Sequence, residues 1–382
     1  MKSTIQTREM KVNEISLIML AAGNSTRFDM GVKKQFLRLG NDPLWLYATK
    51  NLSSFYPFKK IIVTSSNVSY MKKFTKNYEF VEGGNTRAES LKKALELVES
   101  EFVMVSDVAR VLVSKNLFER LIENLAKADC ITPALKVADT TLFDNEALQR
   151  EKIKLIQTPQ LSRTALLKKA LNQNLEFSDD STAIASLGGK ICFVEGEENA
   201  RKLTFKEDLK KLDLPKPSSE IFCGNGFDVH EFGEYRPLLL AGVPIHHTMG
   251  LKAHSDGDVL AHSLTDAILG AAGLGDIGEL YPDTDMKFKN ADSMELLKQA
   301  YERVKEVGFE LINIDLCVIA QTPKLQGFKE AIALNIARVL DIDEFRVNVK
   351  ATTTEKLGFI GRKEGMAVLS SVNLKYFDWT RL

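Results

Sequence analysis

A segment rich in proline and serine at residues 214–220 is the sequence feature that most constrains how this chain folds. It lies between a helical pattern and a strand-like pattern, and its composition is typical of a linker. Because single hydrophobic cores rarely grow beyond about 250–300 residues, a chain of 382 residues is expected to form two domains. We therefore predict domains at residues 1–213 and 221–382, joined by a linker at 214–220.

Strand-like and helix-like patterns alternate along the N-terminal stretch. Apolar runs typical of strands occur at residues 15–20, 60–64, 102–105 and 191–194. Amphipathic segments lie between them, and the clearest covers residues 86–98. Since such alternation is typical of a mostly parallel sheet covered by helices, we predict a Rossmann-like α/β domain.

The C-terminal stretch has a different pattern. Helical signals cover residues 256–270 and 293–307, and strand-like runs cover 227–230, 312–320 and 346–352. This arrangement indicates an α+β domain.

Composition excludes several classes of function. Lys plus Arg and Asp plus Glu both number 51, so the chain lacks the basic excess typical of nucleic-acid binding. The N-terminal residues are polar, and no apolar run approaches ~18 residues, so we expect neither a signal peptide nor a membrane span. The four cysteines form no C-x-x-C pair, as expected for reduced thiols in the cytoplasm.

A loop of small residues follows the first predicted strand. It contains Gly23 and leads to two cations, Arg27 and Lys34. Ligands bind at the carboxyl ends of strands in open parallel sheets, and small residues let backbone N–H groups approach a phosphate. The loop therefore indicates a phosphate site, although a loop of this kind is often only a structural turn.

Three further clusters support a nucleotide site. Gly83, Gly84 and Arg87 lie at the start of a predicted helix, where N–H groups favour an anion. Asp107 follows a buried strand and is a candidate Mg²⁺ ligand, with a helix cap or an ion pair as the alternative. Lys202 adds another cation near a strand end.

Together these residues resemble the 2-C-methyl-D-erythritol 4-phosphate cytidylyltransferase family over roughly residues 1–213. The matching motifs are Ala21-Ala22-Gly23 with Arg27, Lys34-Gln35-Phe36-Leu37, Gly83-Gly84 with Arg87 and Ser90, Asp107 with Ala109-Arg110, Asp139-Thr140, Thr158-Pro159-Gln160, and Val194-Glu195-Gly196 with Lys202. The resemblance implies that CTP and methylerythritol phosphate give the CDP-alcohol and pyrophosphate.

The resemblance also implies residue roles. Arg27, Lys34 and Lys202 would stabilise charge on the reacting phosphates, and Asp107 would hold Mg²⁺. The residues implied to bind the substrates are Gly23, Gly83, Gly84, Arg87, Ser90, Asp107, Arg110, Thr140 and Arg150. Of these, Thr140 and Arg150 would bind the methylerythritol phosphate from an arm that reaches the partner subunit.

This half departs from the family pattern at three positions. Ser25 stands where the family usually has a second glycine, Ser106 replaces a histidine, and Val111 replaces a proline. The first change puts the loop's left-handed backbone conformation in question. Because the cations and Asp107 are kept, we expect the activity to be kept.

An Asp and two histidines form the strongest candidate for a metal site. Asp228 and His230 are two apart on a strand-like run and so share a face, while His262 lies on a predicted helix. Three such ligands with an open fourth position are typical of catalytic zinc. The alternative is a hydrogen-bonded pair at a strand end. Asp266, four residues after His262, is expected to orient its imidazole, with stabilisation of the helix alone as the alternative.

Residues from about 221 to 376 resemble 2-C-methyl-D-erythritol 2,4-cyclodiphosphate synthase throughout. The matching motifs are Gly226-Phe227-Asp228-Val229-His230, residues 253–278, Pro282-Asp283-Thr284-Asp285, Ala291-Asp292-Ser293, Ala320-Gln321 with Pro323-Lys324, and residues 347–359 with Gly361-Arg362. The resemblance implies that the substrate's 2-phosphate attacks the β-phosphorus of the CDP group and expels CMP.

By this resemblance, Asp228, His230 and His262 bind Zn²⁺, and Glu355 holds Mg²⁺ or Mn²⁺ and takes part in catalysis. The residues implied to bind substrate are His254, Ser255, Asp276, Gly278, Asp283, Asp285, Ala320, Lys324, Thr352, Thr353 and Arg362. The site would lie between subunits of a trimer. Paired N-terminal domains would then extend the assembly to a hexamer.

Two alternatives to a bifunctional enzyme stay open at this point. The N-terminal domain could act on another phosphate substrate, or the chain could be a zinc-stabilised scaffold with a non-catalytic nucleotide-binding domain. The three departures at Ser25, Ser106 and Val111 favour the second alternative. A match of Thr140 and Arg150 to the methylerythritol-phosphate arm argues against the first.

Overall fold

A computed structural model describes residues 15–173, 177–282, 284, 285, 288 and 291–381. The chain divides into two compact units, Met1–Pro215 and Lys216–Leu382. Among the described residues, no helix has the length and apolar character needed to cross a bilayer.

The first unit alternates strands and helices. Its strands are β1 Ile15–Leu20, β2 Arg38–Leu39, β3 Asp42–Pro43, β4 Ile61–Ser65, β5 Glu79–Glu82, β6 Phe102–Asp107, β7 Cys130–Lys136, β8 Leu142–Phe143, β9 Glu146–Ala147, β10 Lys154–Ile156, β11 Gln160–Arg163 and β12 Ile191–Glu195. Its α-helices are α1 Leu44–Ser53, α2 Val68–Met71, α3 Arg87–Leu95, α4 Lys115–Glu123, α5 Thr164–Leu171 and α6 Asp180–Ser186.

The main sheet of this unit has the order β10-β7-β11-β6-β1-β4-β5, and β12 pairs with β7. Strand β1 is parallel to both of its neighbours, β4 and β6, and every residue in it is buried. Parallel neighbours end at the same edge, so the loops after β1, β5 and β6 come together there. The prediction of a mostly parallel α/β domain is confirmed.

The second unit is built on an antiparallel sheet. Its strands are β13 Ile221–Glu234, β14 Leu238–Leu240, β15 Val243–Ile245, β16 Gly250–Leu251, β17 Phe309–Ile319, β18 Val347–Thr352 and β19 Gly365–Tyr376. Its α-helices are α7 Val259–Ala272, α8 Ile277–Leu280, α9 Ser293–Glu306, α10 Lys329–Leu340 and α11 Gly358–Gly361. The main sheet has the order β16-β13-β19-β17-β18, with only the β17–β18 pair parallel among the described pairings.

Helix α7 lies directly on β13, which carries two glycines at the contact. A Cβ atom on Gly224 would lie 2.0 Å from the Ala267 carbonyl oxygen, and one on Gly226 would lie 1.9 Å from that of Ser263. Any larger residue would push the helix away from the strand. This close packing sets the distance between side chains on β13 and those on α7. The prediction of an α+β domain is confirmed.

Helix ends differ from the predicted bounds for local reasons. The helix expected at 256–270 begins at Val259, because the Asp258 carboxylate caps it by accepting from the Ala261 N–H. The helix expected at 86–98 begins at Arg87, because the Thr86 hydroxyl accepts from the Glu89 N–H. The Glu89 carboxylate then accepts from Asn85 at 2.7 Å.

Candidate active sites

A cavity of about 540 Å³ lies at the carboxyl-terminal edge of the first unit's sheet. The loops after β1, β5 and β6 line it, as the parallel order requires. The predicted site residues among its lining are Gly23, Arg27, Lys34, Gly83, Gly84, Arg87, Ser90, Asp107 and Lys202.

The loop after β1 is closed by side-chain hydrogen bonds. Ser25 adopts a left-handed conformation, with φ of 57°. Its hydroxyl accepts from the Lys34 backbone N–H at 3.2 Å and donates to the side-chain amide oxygen of Gln35, Oε1, at 3.1 Å. A serine in this conformation costs about 1–2 kcal/mol, and two hydrogen bonds of about 0.5–1.5 kcal/mol each offset that cost. The loop thus adopts a positive φ without the glycine.

Three cations surround the near side of this cavity. Burial, together with the neighbouring charges of Lys202 and Arg27, lowers the pKa of Lys34 to about 8. The Lys34 ammonium donates to the carbonyl of Leu203 at 2.6 Å. A cluster of cations that repel one another is a strong site for a phosphate chain, because a bound anion relieves the repulsion.

The Asp107 carboxylate is paired with Lys202 and with one further cation of the cavity lining, Arg87. Its Oδ2 atom lies 2.7 Å from Lys202 Nζ, and its Oδ1 atom lies 3.5 Å from Arg87 Nε. Burial alone would raise the pKa of Asp107, but Lys202 and Arg87 outweigh burial and lower it. The carboxylate is therefore ionised and can accept a hard cation such as Mg²⁺.

Asp180 is a site residue that the sequence did not reveal. It is fully buried at the start of α6, and its Oδ1 atom lies 3.1 Å from Arg87 Nη1, a partner 93 positions away in the chain. Burial raises the pKa of Asp180 to about 6, although Arg87 opposes the shift. The Asp179-Asp180 pair looks like an ordinary helix start in the sequence, so nothing there indicated a link to Arg87.

Three predicted substrate residues lie outside this cavity. The Arg110 guanidinium donates to the backbone carbonyls of Ala200 and Ile156, at 2.7 and 3.4 Å. Thr140 and Arg150 are exposed on the segment around the β8–β9 hairpin. Within one chain, Thr140 and Arg150 are not among the residues that line the cavity.

In the second unit, Asp228, His230 and His262 converge. Asp228 Oδ2 lies 3.1 Å from His230 Nε2 and 3.4 Å from His262 Nδ1. This oxygen is buried, and neither contact has hydrogen-bond geometry. Ligand atoms of the three residues lie within 4.8 Å of one another, the one such cluster found in the part of the chain that the structure describes. Lone pairs that converge without bonding one another fit a divalent metal ion.

The electrostatics of this cluster favour a bound positive charge. Burial would raise the pKa of Asp228, but the two imidazoles beside it hold that pKa well below its usual range. Burial would lower the pKa of His262, but the Asp228 carboxylate raises it, with Asp258 and Asp256 adding to the shift. A bound cation would take the place of the proton that His262 otherwise attracts.

The far side of the His262 ring contacts two hydroxyls. Its Nε2 atom lies 2.9 Å from Ser293 Oγ and 3.1 Å from Ser255 Oγ. Asp266 instead accepts from the Ile277 N–H at 2.8 Å. The expectation that Asp266 orients His262 is therefore wrong, because the carboxylate turns toward the start of α8.

A cavity of about 450 Å³ opens beside this cluster. The predicted site residues among its lining are Asp228, His230, His254, Ser255, His262, Gly278 and Asp285. Asp276 lies next to it and caps α8 by accepting from the Glu279 N–H. Asp283, also predicted to bind substrate, lies outside the described residues.

The other predicted residues of this unit form a separate group at the β17–β18 edge. Ala320 donates its N–H to the Thr352 carbonyl at 3.0 Å, which joins the ends of the two strands. The Glu355 carboxylate accepts from the Thr353 hydroxyl at 2.9 Å. The residues of this group are Ala320, Lys324, Thr352, Thr353, Glu355 and Arg362. Strands β19 and β17 separate β18 from β13, so this group lies apart from the Asp228 cluster within one chain.

Family models match both units. The model for 2-C-methyl-D-erythritol 4-phosphate cytidylyltransferase matches residues 15–214, and the model for the YgbB family matches residues 221–375.

Similar proteins extend over both units at once. The bifunctional enzyme IspD/IspF of Campylobacter jejuni subsp. jejuni serotype O:23/36 (strain 81-176) is 88% identical over 371 residues, which cover 97% of this chain and 100% of that protein. The Campylobacter lari (strain RM2100) protein of the same name is 70% identical over 369 residues, with the same two coverages.

A solved structure of the bifunctional IspDF from Campylobacter jejuni has a TM-score of 0.93 and 88% identity, and covers 97% of this chain and 100% of its own. Both resemblances seen in the sequence are thus confirmed, and the alternatives of a scaffold or of an unrelated nucleotidyltransferase fall away. The chain belongs to the bifunctional IspD/IspF enzymes, which join a methylerythritol-phosphate cytidylyltransferase to a cyclodiphosphate synthase in the methylerythritol phosphate pathway of isoprenoid synthesis.

Proposed function

We propose that the cavity of the first unit binds CTP and methylerythritol phosphate, and that the cluster at Asp228 in the second unit is a zinc site. The domains responsible would cover residues 1–213 and 221–382, with 214–220 as the linker, in the cytoplasm. The observation that carries the proposal is that each set of residues converges within its own unit, around its own cavity.

In the first cavity, Arg27 and Lys34 would hold the α-phosphate while Lys202 contacts the phosphate chain. These cations repel one another, and a bound anion relieves that repulsion, so the cavity binds the phosphate groups of CTP most strongly. The alcohol phosphate then displaces pyrophosphate in line, and the fixed cations stabilise the charge that builds up on the phosphorus oxygens.

Gly83, Gly84 and Ser90 are suited to reading the cytosine ring. The Ser90 hydroxyl accepts from the Gly84 N–H at 2.9 Å. A Cβ atom on Gly83 would lie 2.3 Å from the Cβ of Ala22, so a side chain there would collide with the phosphate loop. The base would therefore lie directly against backbone. Asp107 would hold Mg²⁺, which neutralises charge on the triphosphate.

In the second unit, Asp228, His230 and His262 would hold Zn²⁺. Support comes from the buried Asp228 Oδ2 atom, which has no hydrogen-bond partner among the described residues, and from two imidazole nitrogens that face it. A zinc ion there supplies Lewis acidity to the diphosphate. His254 and Ser255, on the loop before α7, would bind the substrate, and Asp276, Gly278 and Asp285 would hold the erythritol part.

We propose a trimer in which each active site joins two half-sites. Ala320, Lys324, Thr352 and Thr353 of one subunit would bind the cytidine, and Glu355 would hold Mg²⁺ or Mn²⁺, opposite the zinc of its neighbour. An exposed apolar face of the main sheet supports this packing. The members of that face include Ile221, Phe227, Val229 and Leu369, which are between 38% and 65% exposed.

The first domains would pair through the β8–β9 hairpin. Leu142 and Phe143 on this hairpin are 58% and 67% exposed, and Thr140 and Arg150 flank it. Pairing would cover these apolar side chains and carry the two polar ones to the partner's cavity. Trimers of the second domain and pairs of the first together give a hexamer.

A complementation assay tests the shared site. His262→Ala and Glu355→Ala chains, each unable to release CMP from CDP-methylerythritol 2-phosphate, are unfolded together and refolded as a mixture. We expect activity to return, because some interfaces then combine an intact zinc half-site with an intact Glu355. A mixture of His262→Ala and Asp228→Asn, which damage the same half-site, should stay inactive. If the first mixture also stays inactive while forming trimers, the shared site is wrong.

A further inference from the structure

A chain of hydrogen bonds runs from Asp256 through Ser293 to His262. The Asp256 Oδ1 atom lies 2.5 Å from Ser293 Oγ, and its Oδ2 atom accepts from the Ser293 N–H at 3.0 Å. The Ser293 Oγ atom lies 2.9 Å from His262 Nε2. Ser293 is the first residue of α9 and is 1% exposed, so water does not compete for these bonds.

The positions of the protons follow from the chemistry of the three groups. The Asp256 carboxylate accepts from both the N–H and the O–H of Ser293, and also from the Asp258 N–H. Since a carboxylate offers only lone pairs, the hydroxyl proton of Ser293 must point to Asp256. The serine oxygen then has only lone pairs left for His262, so the imidazole must donate from Nε2.

This direction leaves Nδ1 of His262 as the bare nitrogen of the neutral ring. Nδ1 is the atom that faces Asp228, at 3.4 Å from Oδ2. The opposite tautomer would set two lone pairs against each other over the 2.9 Å between Nε2 and Ser293 Oγ. It would also place a proton where a metal ion would bind.

Ser255 does not reverse this arrangement. Its oxygen lies 3.1 Å from His262 Nε2 and accepts from the Gly257 N–H at 3.2 Å. An Nε2–H group can be shared between two serine oxygens. If Ser255 donated to Nε2 instead, the shorter contact to Ser293 would become repulsive.

We infer that Asp256 and Ser293 are positioning residues that lock His262 in the tautomer whose Nδ1 is free to bind a metal ion. The inference deepens the proposed zinc site and rests on it. It assigns a function to two residues that lie 37 positions apart, one on the loop before α7 and the other at the start of α9. Neither residue touches the reacting phosphates in this assignment.

The tautomer can be measured without metal or substrate. The metal-free, full-length protein is labelled with ¹⁵N at its five histidines, and His262 is assigned by the loss of its signals in His262→Gln. In alkaline solution, where the ring is neutral, we expect a protonated Nε2 and an unprotonated Nδ1 in the wild type. In Ser293→Ala the ¹⁵N chemical shifts of Nδ1 and Nε2 should move toward those of a free imidazole, in which the two tautomers are averaged. A wild-type ring protonated at Nδ1 would overturn the inference.

Zinc affinity gives a second readout, by competition with a chelator on the same full-length chains. Ser293→Ala should weaken zinc binding by about 10–100-fold, as is typical when a partner of a metal ligand is lost. Asp256→Asn should weaken it similarly, because an amide can donate to Ser293 and let the serine proton turn to Nε2. Ser293→Thr, which keeps the hydroxyl, should restore most of the affinity.

Ser263→Ala is the matched control for removal of a buried hydroxyl. Ser263 follows His262 on α7, and the described hydrogen bonds of its hydroxyl go to Gly226, Val368 and Ser370 rather than to the His262 ring. Zinc affinity in this variant should equal that of the wild type. If the wild type binds no zinc, the proposed metal site fails. If it binds zinc and Ser293→Ala binds it equally tightly, only the role of Ser293 and Asp256 fails.

Discussion

The two candidate sites differ in how their charges are balanced. In the first unit, Asp180, Arg87, Asp107 and Lys202 form a row of alternating charges, and each carboxylate has a cation within 3.5 Å. In the second unit, one carboxylate and two imidazoles face one another without hydrogen bonds. The first site is organised by its own counter-charges, whereas the second has the arrangement expected of a site that takes a cation from solution.

The two sites also differ in completeness within one chain. The cavity of the first unit gathers its cations, glycines and carboxylate around one sheet edge. The second unit divides its predicted residues between β13 with α7 and the far edge of the same sheet. Because the two sites lie in separate units, variants in one should leave the other reaction unchanged, which gives every measurement an internal control.

His262→Ala should have the largest effect on either reaction. It removes one of three ligands, so CMP release from CDP-methylerythritol 2-phosphate should fall below detection. Cytidylyl transfer by the same preparation should keep its wild-type rate. Loss of both activities would show that the sites are not independent.

Lys34→Ala should lower cytidylyl transfer on the order of 100–1,000-fold, because a fixed charge at the reacting phosphate is lost. The measurement is kcat/KM for CTP at saturating methylerythritol phosphate. CMP release by the second unit is the control for folding and should not change. A transfer rate close to that of the wild type would remove Lys34 from the catalytic group.

Asp180→Asn should raise the KM for CTP roughly tenfold, equivalent to about 1.4 kcal/mol, because Arg87 loses its buried counter-charge. Asp179→Asn is the matched control, since asparagine caps α6 as well as aspartate does. In an Arg87→Gln background, Asp180→Asn should add little, since it acts through that arginine. If Asp180→Asn raised the KM for CTP tenfold in the Arg87→Gln background as well, Asp180 would act on the fold and not through Arg87.

The two sites should respond to pH in opposite directions. Lys34 must be protonated to hold phosphate, so kcat/KM for cytidylyl transfer should fall as pH rises through about 8. Zinc binds His262 only when its imidazole is unprotonated, and the pKa of that imidazole is raised, so zinc retention should weaken as the pH is lowered and the ring takes up a proton. Parallel pH profiles of transfer and zinc retention would contradict the assignment of these two groups.

Ser25 variants should have the smallest effects. Ser25→Ala keeps the left-handed backbone but loses both hydroxyl bonds, so kcat/KM for CTP should fall roughly fivefold, about 1 kcal/mol. Ser25→Gly loses the same hydrogen bonds but removes the cost of a side chain at positive φ, so its kcat/KM for CTP should fall less. Equal rates for all three proteins would show that the hydroxyl does not hold the loop.

Where site residues share one strand or follow neighbouring strands, their proximity could be predicted from the sequence. Asp228 and His230 are two residues apart on a strand, so their side chains share a face. Gly23 and Asp107 come at or just after the ends of parallel strands, so they lie at one edge of the sheet. Asp180, Ser293 and Asp256 could not be predicted, because their partners are set by packing between distant elements. The error at Asp266 has the same origin, since helical spacing alone cannot show that a carboxylate turns to the next helix.

Zinc content of the purified full-length protein is the decisive measurement for the second site. The wild type should carry about one zinc ion per chain, and His262→Ala, prepared in parallel, should carry almost none. Zinc bound equally by both proteins, or absent from the wild type after purification with zinc in the buffer, would contradict a site formed by Asp228, His230 and His262.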